Sequence, residues 1–358
     1  MIEQRHNKVM IMAGGTGGHV FPALSVAEIL RARNIAVSWL GTREGIESEL
    51  VPAKAFPINY IDIEGLRGAG VLKWFRAPYI VAKAVFQALF IIRKVSPDVI
   101  LGLGGFASGP GGIAARILRL PLIIHEQNAI AGTTNKLLAI IATKVLTAFP
   151  DVLPRGEWVG NPVRSEISSL HPPLIRGIGE LHSLRILVLG GSMGASAINK
   201  LLPLALAAIK KTYRPEVRHQ CGKKHLKETE NAYRKIKLKV SVEAFIADMA
   251  GAYDWADVVI CRAGALTVSE LAAAGVGSLL IPFPYAIDDH QFFNGQWLVA
   301  HGAAQMIREE DITTERLVDV FHEWLESRKK LNSMAINARR LAKPDSAELV
   351  ADVCLELS

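Results

Sequence analysis

Short apolar runs alternate along this chain with longer stretches whose apolar residues recur at helical spacing, and the alternation continues from one end to the other. That alternation is the signature of parallel sheets covered by helices. In the first half it predicts strands at 8–13, 37–41, 58–63, 98–103, 122–125, 144–146 and 158–159. In the second half it predicts them at 185–190, 217–220, 240–245, 258–261, 278–282 and 304–307. The halves repeat one another. VMIMAGGTGGH near the start and LRILVLGGSMGAS from Leu184 are each an apolar strand, a glycine-rich turn and a helix start, as if a nucleotide-binding unit opens each half. Between them, Asn161-Pro162 and SSLHPPLIRGIGELH break the periodicity, which puts a linker near 163–183. The expected fold is α/β, with two doubly wound Rossmann-like domains over 1–163 and 164–358 and a ligand-binding cleft between them. The last helical stretch, 346–357, either stays with the second domain or crosses back to the first.

The turns carry the candidate chemistry. In MAGGTGGHVFP, glycines let N–H groups approach an anion at a helix start, where the helix dipole adds partial positive charge. No Gly-Lys-Ser/Thr follows, so the turn is not a P-loop, and Val20 stands where G-x-G-x-x-G needs its third glycine. The next strand ends in WLGTREG, with no acid at its tip for an adenine-side ribose, so NAD is not expected. His19, at the exit of the turn, is a candidate general base or a donor to an anion. Ser192, in the second glycine turn, could cap a helix or bond a phosphate oxygen, and the glycines of 102–112 make a third such turn. In CRAGALTVSELAAAGV the helix start from Ala265 offers first-turn amides to a diphosphate, while Glu270 could accept from a ribose diol.

Two more strand ends add polar groups. His125, Glu126, Gln127 and Asn128 follow a buried-type strand, which points to substrate contacts because an interior satisfies such groups with difficulty. IPFPYAIDDHQFFNG supplies Gln291 and Asn294 on one helical face, and Asp288-Asp289 lacks a third carboxylate for a metal.

Composition bounds the rest. The 358 residues are 50% hydrophobic and 21% charged, which fits a folded globular protein. Cys221, Cys261 and Cys354 are far apart and form no CxxC pair, so a reducing compartment and no structural metal are expected. No cofactor is expected either. The N-terminus lacks the pattern of a signal peptide and no apolar segment is long enough to span a bilayer. The net charge of +7 invites an anionic partner. Nucleic acid is not favoured, because no helix-turn-helix, zinc-finger or RNP-like pattern is present. The segment GLRGAGVLKWFRAPYIVAKAVFQALFIIRKV mixes aromatics with lysines and arginines, as a helix lying on an anionic lipid surface would.

Taken in order, AGGTGGHVFPAL, WLGT, GLRG, DVILGLGGFASGPGG, HEQNAIAGTTNK, ATKV, VGNPVR, LVLGGSMGA, WADVVICRAGALTVSELAAAG and DDHQFFN resemble the motifs of the MurG family. These are bacterial N-acetylglucosaminyltransferases acting on undecaprenyl-diphospho-muramoyl-pentapeptide, lipid I, in peptidoglycan synthesis. The resemblance covers nearly the whole chain. It implies the glycosyltransferase-B architecture, with UDP-GlcNAc on the second domain: uracil near Ile246, ribose on Glu270, and diphosphate by Ser192 and the helix start Ala265-Leu266-Thr267-Val268-Ser269. The sugar would lie near Gln291 and Asn294, with Asn128, Arg164 and the turn Thr16-Gly17-Gly18 as further donor contacts. The first domain would take lipid I, its diphosphate on the glycine turns near His19, at the cytoplasmic face of the inner membrane. Two positions depart from the family. Met193 replaces the common glutamine, which leaves that turn a backbone contribution, and His290 stands where glutamine is frequent.

The implied reaction displaces UDP from the anomeric carbon by the C4 hydroxyl of the muramoyl sugar, with His19 as the first candidate base and Glu126 as the second. A UDP-sugar epimerase on a similar fold is the competing class.

Overall fold

The computed structural model describes residues 7–63, 71–178, 183–191, 194–238 and 240–358, the side chains of 71–76 and Ile287 excepted. In chain order the elements begin with β1 (Lys8–Ala13), α1 (Gly17–Ala32), β2 (Ala36–Gly41), α2 (Glu47–Ala53), β3 (Ile58–Tyr60) and α3 (Val71–Val95). There follow β4 (Val99–Gly104), α4 (Ser108–Ile117), β5 (Leu122–Glu126), α5 (Thr133–Ile141), β6 (Lys144–Thr147), β7 (Gly156–Trp158) and α6 (Ser165–Ser168). Next come β8 (Arg185–Leu189), α7 (Ser196–Ala208), β9 (Glu216–Gln220), α8 (Leu226–Lys235), β10 (Ser241–Glu243), α9 (Met249–Trp255), β11 (Val258–Cys261) and α10 (Ala265–Ala274). The chain ends with β12 (Gly277–Leu280), α11 (His290–Ala300), β13 (Ala304–Met306), α12 (Thr314–Glu326), α13 (Arg328–Arg340) and α14 (Ser346–Glu356). Every predicted strand overlaps one of these, that at 158–159 only at Trp158, the last residue of β7. The predicted ends overrun most at 58–63 and 240–245, where pairing with the neighbouring strand stops at Tyr60 and Glu243.

Two compact units result, Met1–Arg164 with Lys343–Ser358, and Ser165–Ala342. The first holds a parallel sheet in the order β3-β2-β1-β4-β5-β6-β7. Its central strands are buried on both faces, and alternate residues feed two cores. Val9, Ile11, Val99 and Leu101 face one core with α1, while Met10, Met12 and Ile100 face the other with Ala84 and Ala88 of α3, Ala114 of α4 and Leu138 of α5.

Of the two paths expected for the last helical stretch, the chain takes the one back to the first domain, so the second unit ends at Ala342 and not at 358. Lys343–Ser358 belongs to the first unit, where Ala347, Val350, Ala351 and Cys354 of α14 pack into the same core as Ala27 and Leu30 of α1. Their i, i+3, i+4, i+7 spacing makes one apolar stripe, and a stripe does not say which sheet it will cover.

The second unit has a parallel sheet in the order β10-β9-β8-β11-β12-β13. Ile186, Val188, Val258, Ile260 and Leu279 pack there against Ile198 and Leu202 of α7 and Phe321 and Trp324 of α12. In both sheets the strand order reverses beside the first strand of the unit, between β1 and β4 and between β8 and β11. Open α/β sheets bind ligands outside the strand C-termini at such points, where successive helices leave on opposite sides.

Candidate active site

At the switch point of the first unit, Gly14–Thr16 links β1 to α1, and Thr16 adopts the extended conformation that starts the helix. The His19 and Val20 amides donate to Thr16 O, at 3.1 and 3.2 Å. His19 Nδ1 lies 3.2 Å from Gly14 O. A carbonyl oxygen only accepts, so in the neutral ring this contact puts the proton on Nδ1 and the lone pair on Nε2. The imidazole rests on the glycine turn after β4, where a Cβ at Gly104 would stand 2.9 Å from His19 Cδ2. Arg164 reaches the same helix, its guanidinium carbon 5.9 Å from the centroid of the Phe21 ring, and that ring packs on Gly17.

The acid that organises this turn is Glu47, which sequence reasoning missed. Glu47 is fully buried at the start of α2. Its Oε2 accepts from Gly15 N at 2.9 Å, and its Oε1 accepts from Thr42 N at 2.9 Å and Thr42 Oγ1 at 2.8 Å. In TREGIESEL it stands among two other glutamates, so order alone does not single it out. The only signal is the glycines around it. A Cβ on Gly14, Gly41 or Gly45 would fall within 3 Å of the Glu47 side chain.

The glycines of 102–112 are largely explained by packing, contrary to the expectation of a third ligand turn. A Cβ on Gly105 would meet Gly14 O at 2.5 Å, one on Gly111 would meet Met12 Sδ, and one on Gly112 would meet Leu138 Cδ2.

The cluster after β5 also reads differently in three dimensions. His125 Nε2 donates to Gly160 O at 2.8 Å, and its Nδ1 accepts from Gln127 Nε2 at 3.0 Å. Burial holds the His125 imidazole down at about 4, well below its ordinary 6.5. Glu126 is buried, Oε1 accepting from Asn128 N and Nδ2 and Oε2 from Gly132 N and Asn135 Nδ2. Those contacts make Glu126 the anchor of the 128–135 loop and take it out of contention as a base. His125 and Gln127 are core groups that satisfy one another, not substrate contacts. Asn128 is held at the rim by Glu126.

In the second unit the candidates gather at the ends of β10, β11 and β12. The first intrahelical amide of α10 is Val268 N, which donates to Gly264 O at 2.9 Å, so the amides of Ala265, Leu266 and Thr267 lie ahead of the helical ladder. Gly264 precedes them without a side chain to cap them. Val268 itself is buried and Ser269 Oγ donates back to Ala265 O at 2.9 Å, so neither side chain is presented to a ligand. Glu270 is buried and accepts from Tyr253 OH at 3.1 Å. Ile246 is buried and its amide donates to Gln220 Oε1 at 2.9 Å. Gln291 Oε1 accepts from Phe283 N, and Asn294 Nδ2 donates to Ala263 O, tying α11 to the ends of β11 and β12. Asp289 pairs with Arg308 at 2.8 Å. Ser192 and Met193 lie outside the described residues.

Two doubly wound units, each with a helix start at its switch point, make the glycosyltransferase-B architecture. The chain belongs to glycosyltransferase family 28, whose N-terminal domain matches residues 9–147 and whose C-terminal domain matches 185–350. Within that class it belongs with the UDP-N-acetylglucosamine–N-acetylmuramyl-(pentapeptide) pyrophosphoryl-undecaprenol N-acetylglucosamine transferases, the MurG family. It is 52% identical to the enzyme of Cellvibrio japonicus over 98% of each chain, and 49% identical to that of Alkalilimnicola ehrlichii over 97% of this chain and 98% of that one. The crystal structure of MurG from Acinetobacter baumannii, 41% identical, covers 98% of this chain and 99% of that one with a TM-score of 0.86. A UDP-GlcNAc 2-epimerase from Neisseria meningitidis shares the fold alone, at 12% identity, coverage of 98% of this chain and all of that one, and a TM-score of 0.67.

His219 of the second unit repeats the buried state of His125. It bonds to Asn199 Oδ1 and Tyr233 OH, and burial holds it at about 3. Both folded values lie below 6.5, so between pH 6.5 and 4 the unfolded chain binds more protons and stability falls as the pH is lowered. From pH 7.5 to 5 each histidine is expected to cost its unit about 2 kcal/mol. Urea unfolding at the two pH values checks this, and His125→Gln and His219→Asn should each flatten the dependence in one unit.

Proposed function

We propose that this chain transfers GlcNAc from UDP-GlcNAc to the C4 hydroxyl of undecaprenyl-diphospho-MurNAc-pentapeptide, with inversion, giving lipid II and UDP in peptidoglycan synthesis. The observation that carries this is half identity with transferases of that name along nearly the whole chain, on both units. The second unit holds UDP-GlcNAc. Uracil meets the Ile246 carbonyl, the ribose hydroxyls donate to Glu270, and the diphosphate takes the amides of Ala265, Leu266 and Thr267, with Ser192 beside it. Gln291 and Asn294 face the sugar. The first unit takes the lipid-linked acceptor, which binds by the glycine turn of Thr16, Gly17 and Gly18.

The acceptor hydroxyl gives its proton to His19 Nε2 as its oxygen bonds to C1 of GlcNAc. The C1–O bond to the diphosphate breaks with inversion, and the electron pair goes to UDP. The amides and dipole at the start of α10 stabilise the charge that develops on the leaving group.

The first unit also presents a face suited to an anionic membrane surface. On α3, Ala84, Ala88 and Ile92 are buried while Tyr79, Phe86 and Phe90 are more than 70% exposed. Ile113 and Ile117 are exposed on α4, which packs beside α3, and Leu137 and Ile140 on α5, which packs beside α4. Exposed Arg93, Lys94, Arg116 and Lys136 accompany them. Apolar side chains enter the headgroup layer and the cations hold its phosphates. Among the described residues no helix is long and apolar enough to cross a membrane.

Incubation of labelled UDP-GlcNAc with lipid I should give a lipid-linked disaccharide and UDP; consumption of donor without acceptor would point to an epimerase instead. His19→Ala should lower kcat by about 10²–10⁴-fold, and full turnover would end its role as base. Glu270→Ala should weaken UDP-GlcNAc about tenfold or more by calorimetry. Replacing Phe86, Phe90 and Ile140 by serine should reduce cosedimentation with anionic vesicles, and undiminished binding would discard this face.

A further inference from the structure

We infer that Glu47 is a positioning residue for His19 and acts on it through the peptide group joining Gly14 to Gly15. The inference rests on the proposed transfer, in which His19 takes the proton of the acceptor hydroxyl. One peptide group carries both contacts. Its N–H, from Gly15, donates to Glu47 Oε2 at 2.9 Å, and its C=O, from Gly14, accepts from His19 Nδ1 at 3.2 Å.

A carboxylate orienting a catalytic imidazole through Nδ1 fixes its tautomer and stabilises the imidazolium that forms during proton transfer. Here a peptide stands between the two. Amide resonance links its ends. An anionic acceptor on the N–H draws electron density toward the carbonyl oxygen, and linked hydrogen bonds of this kind strengthen one another. The carbonyl then holds Nδ1–H more firmly and keeps the Nε2 lone pair for the hydroxyl.

Two features favour this role over simple support of the turn. His19 is the third residue of α1, where the positive end of the helix opposes gain of a proton. The buried carboxylate behind the turn acts against that opposition. The site is also shaped for a carboxylate in particular, because its two oxygens receive three donors. Glutamine would turn an NH₂ group toward an N–H or O–H that needs an acceptor. Glycines close around the side chain, since a Cβ on Gly14 would stand 2.4 Å from Glu47 Oε1 and one on Gly45 1.9 Å from Oε2.

The experiment compares wild type with Glu47→Gln in steady-state transfer and in the ¹⁵N spectrum of the His19 ring. The variant is expected to lose about 10- to 100-fold in kcat with the KM for UDP-GlcNAc unchanged. The His19 ring should move from Nδ1–H in wild type toward Nε2–H in the variant. Unchanged kcat overturns the inference, and so does a loss of kcat with the tautomer unmoved, since Glu47 would then support the turn alone. If Glu47→Gln does not fold, Glu47→Asp, which keeps the charge but draws it back from Gly15 N, takes its place in both measurements with the same two outcomes, and Nε2–H in the wild-type spectrum overturns the inference by itself. Wild-type protein that makes no lipid-linked disaccharide overturns the proposed transfer instead, because the nitrogen spectrum is read without substrates.

Discussion

The first unit's site depends on two backbone turns touching where no side chain can intervene. β1 and β4 are neighbours in a parallel sheet, and the chain leaves both at the same edge. Gly14 N reaches Gly104 O at 3.3 Å, and Ser108 Oγ bridges Met12 O and Gly104 O. Gly104 and Gly105 both take positive φ, and a Cβ on Gly105 would lie 2.5 Å from Gly14 O. Without that approach, His19 would lose the backbone platform under its ring and α1 would start in a different place. The density of glycine in both turns is therefore first a condition of packing.

A sheet buried on both faces constrains its polar residues just as closely. Polar groups at the end of β5 lie where water does not reach, and the chain satisfies them from the loop that follows: Asn128, Gly132 and Asn135 fold back onto Glu126. On the second sheet, His219 is sealed between Asn199 and Tyr233 in the same way. A run of polar residues after an apolar strand marks either a ligand contact or a self-satisfied network, and only the path of the chain decides between them.

That difference describes what was legible in the sequence. The strands, their parallel arrangement and the glycine turn with His19 could be read because each is set by local order: an apolar run, a turn residue, a helix start. The open helix start at Ala265 was legible for the same reason. The partner of α14, the inward role of His125 and Gln127, and the carboxylate of Glu47 were not, since each depends on segments far apart in the chain. The glycines at 111 and 112 misled for a related reason, as close approach between a helix and its neighbours leaves the same mark as a phosphate-binding turn.

The two units also treat an incoming anion differently. In the first, one amide of the glycine turn is already taken by Glu47, and a negative charge lies buried behind it. In the second, α10 begins at a glycine, and among the described residues no side chain occupies its first amides. A helix start without a resident acceptor holds a diphosphate more strongly than a turn that carries its own carboxylate. On the proposed assignment, the stronger site meets the donor, which must be captured from solution and whose leaving group must be stabilised. The weaker one meets a substrate already concentrated in the plane of the membrane, where confinement raises its effective concentration without tight contacts. The carboxylate that weakens the first site for an anion is the same one that steadies the imidazole, so the turn is better suited to removing a proton than to gripping a phosphate.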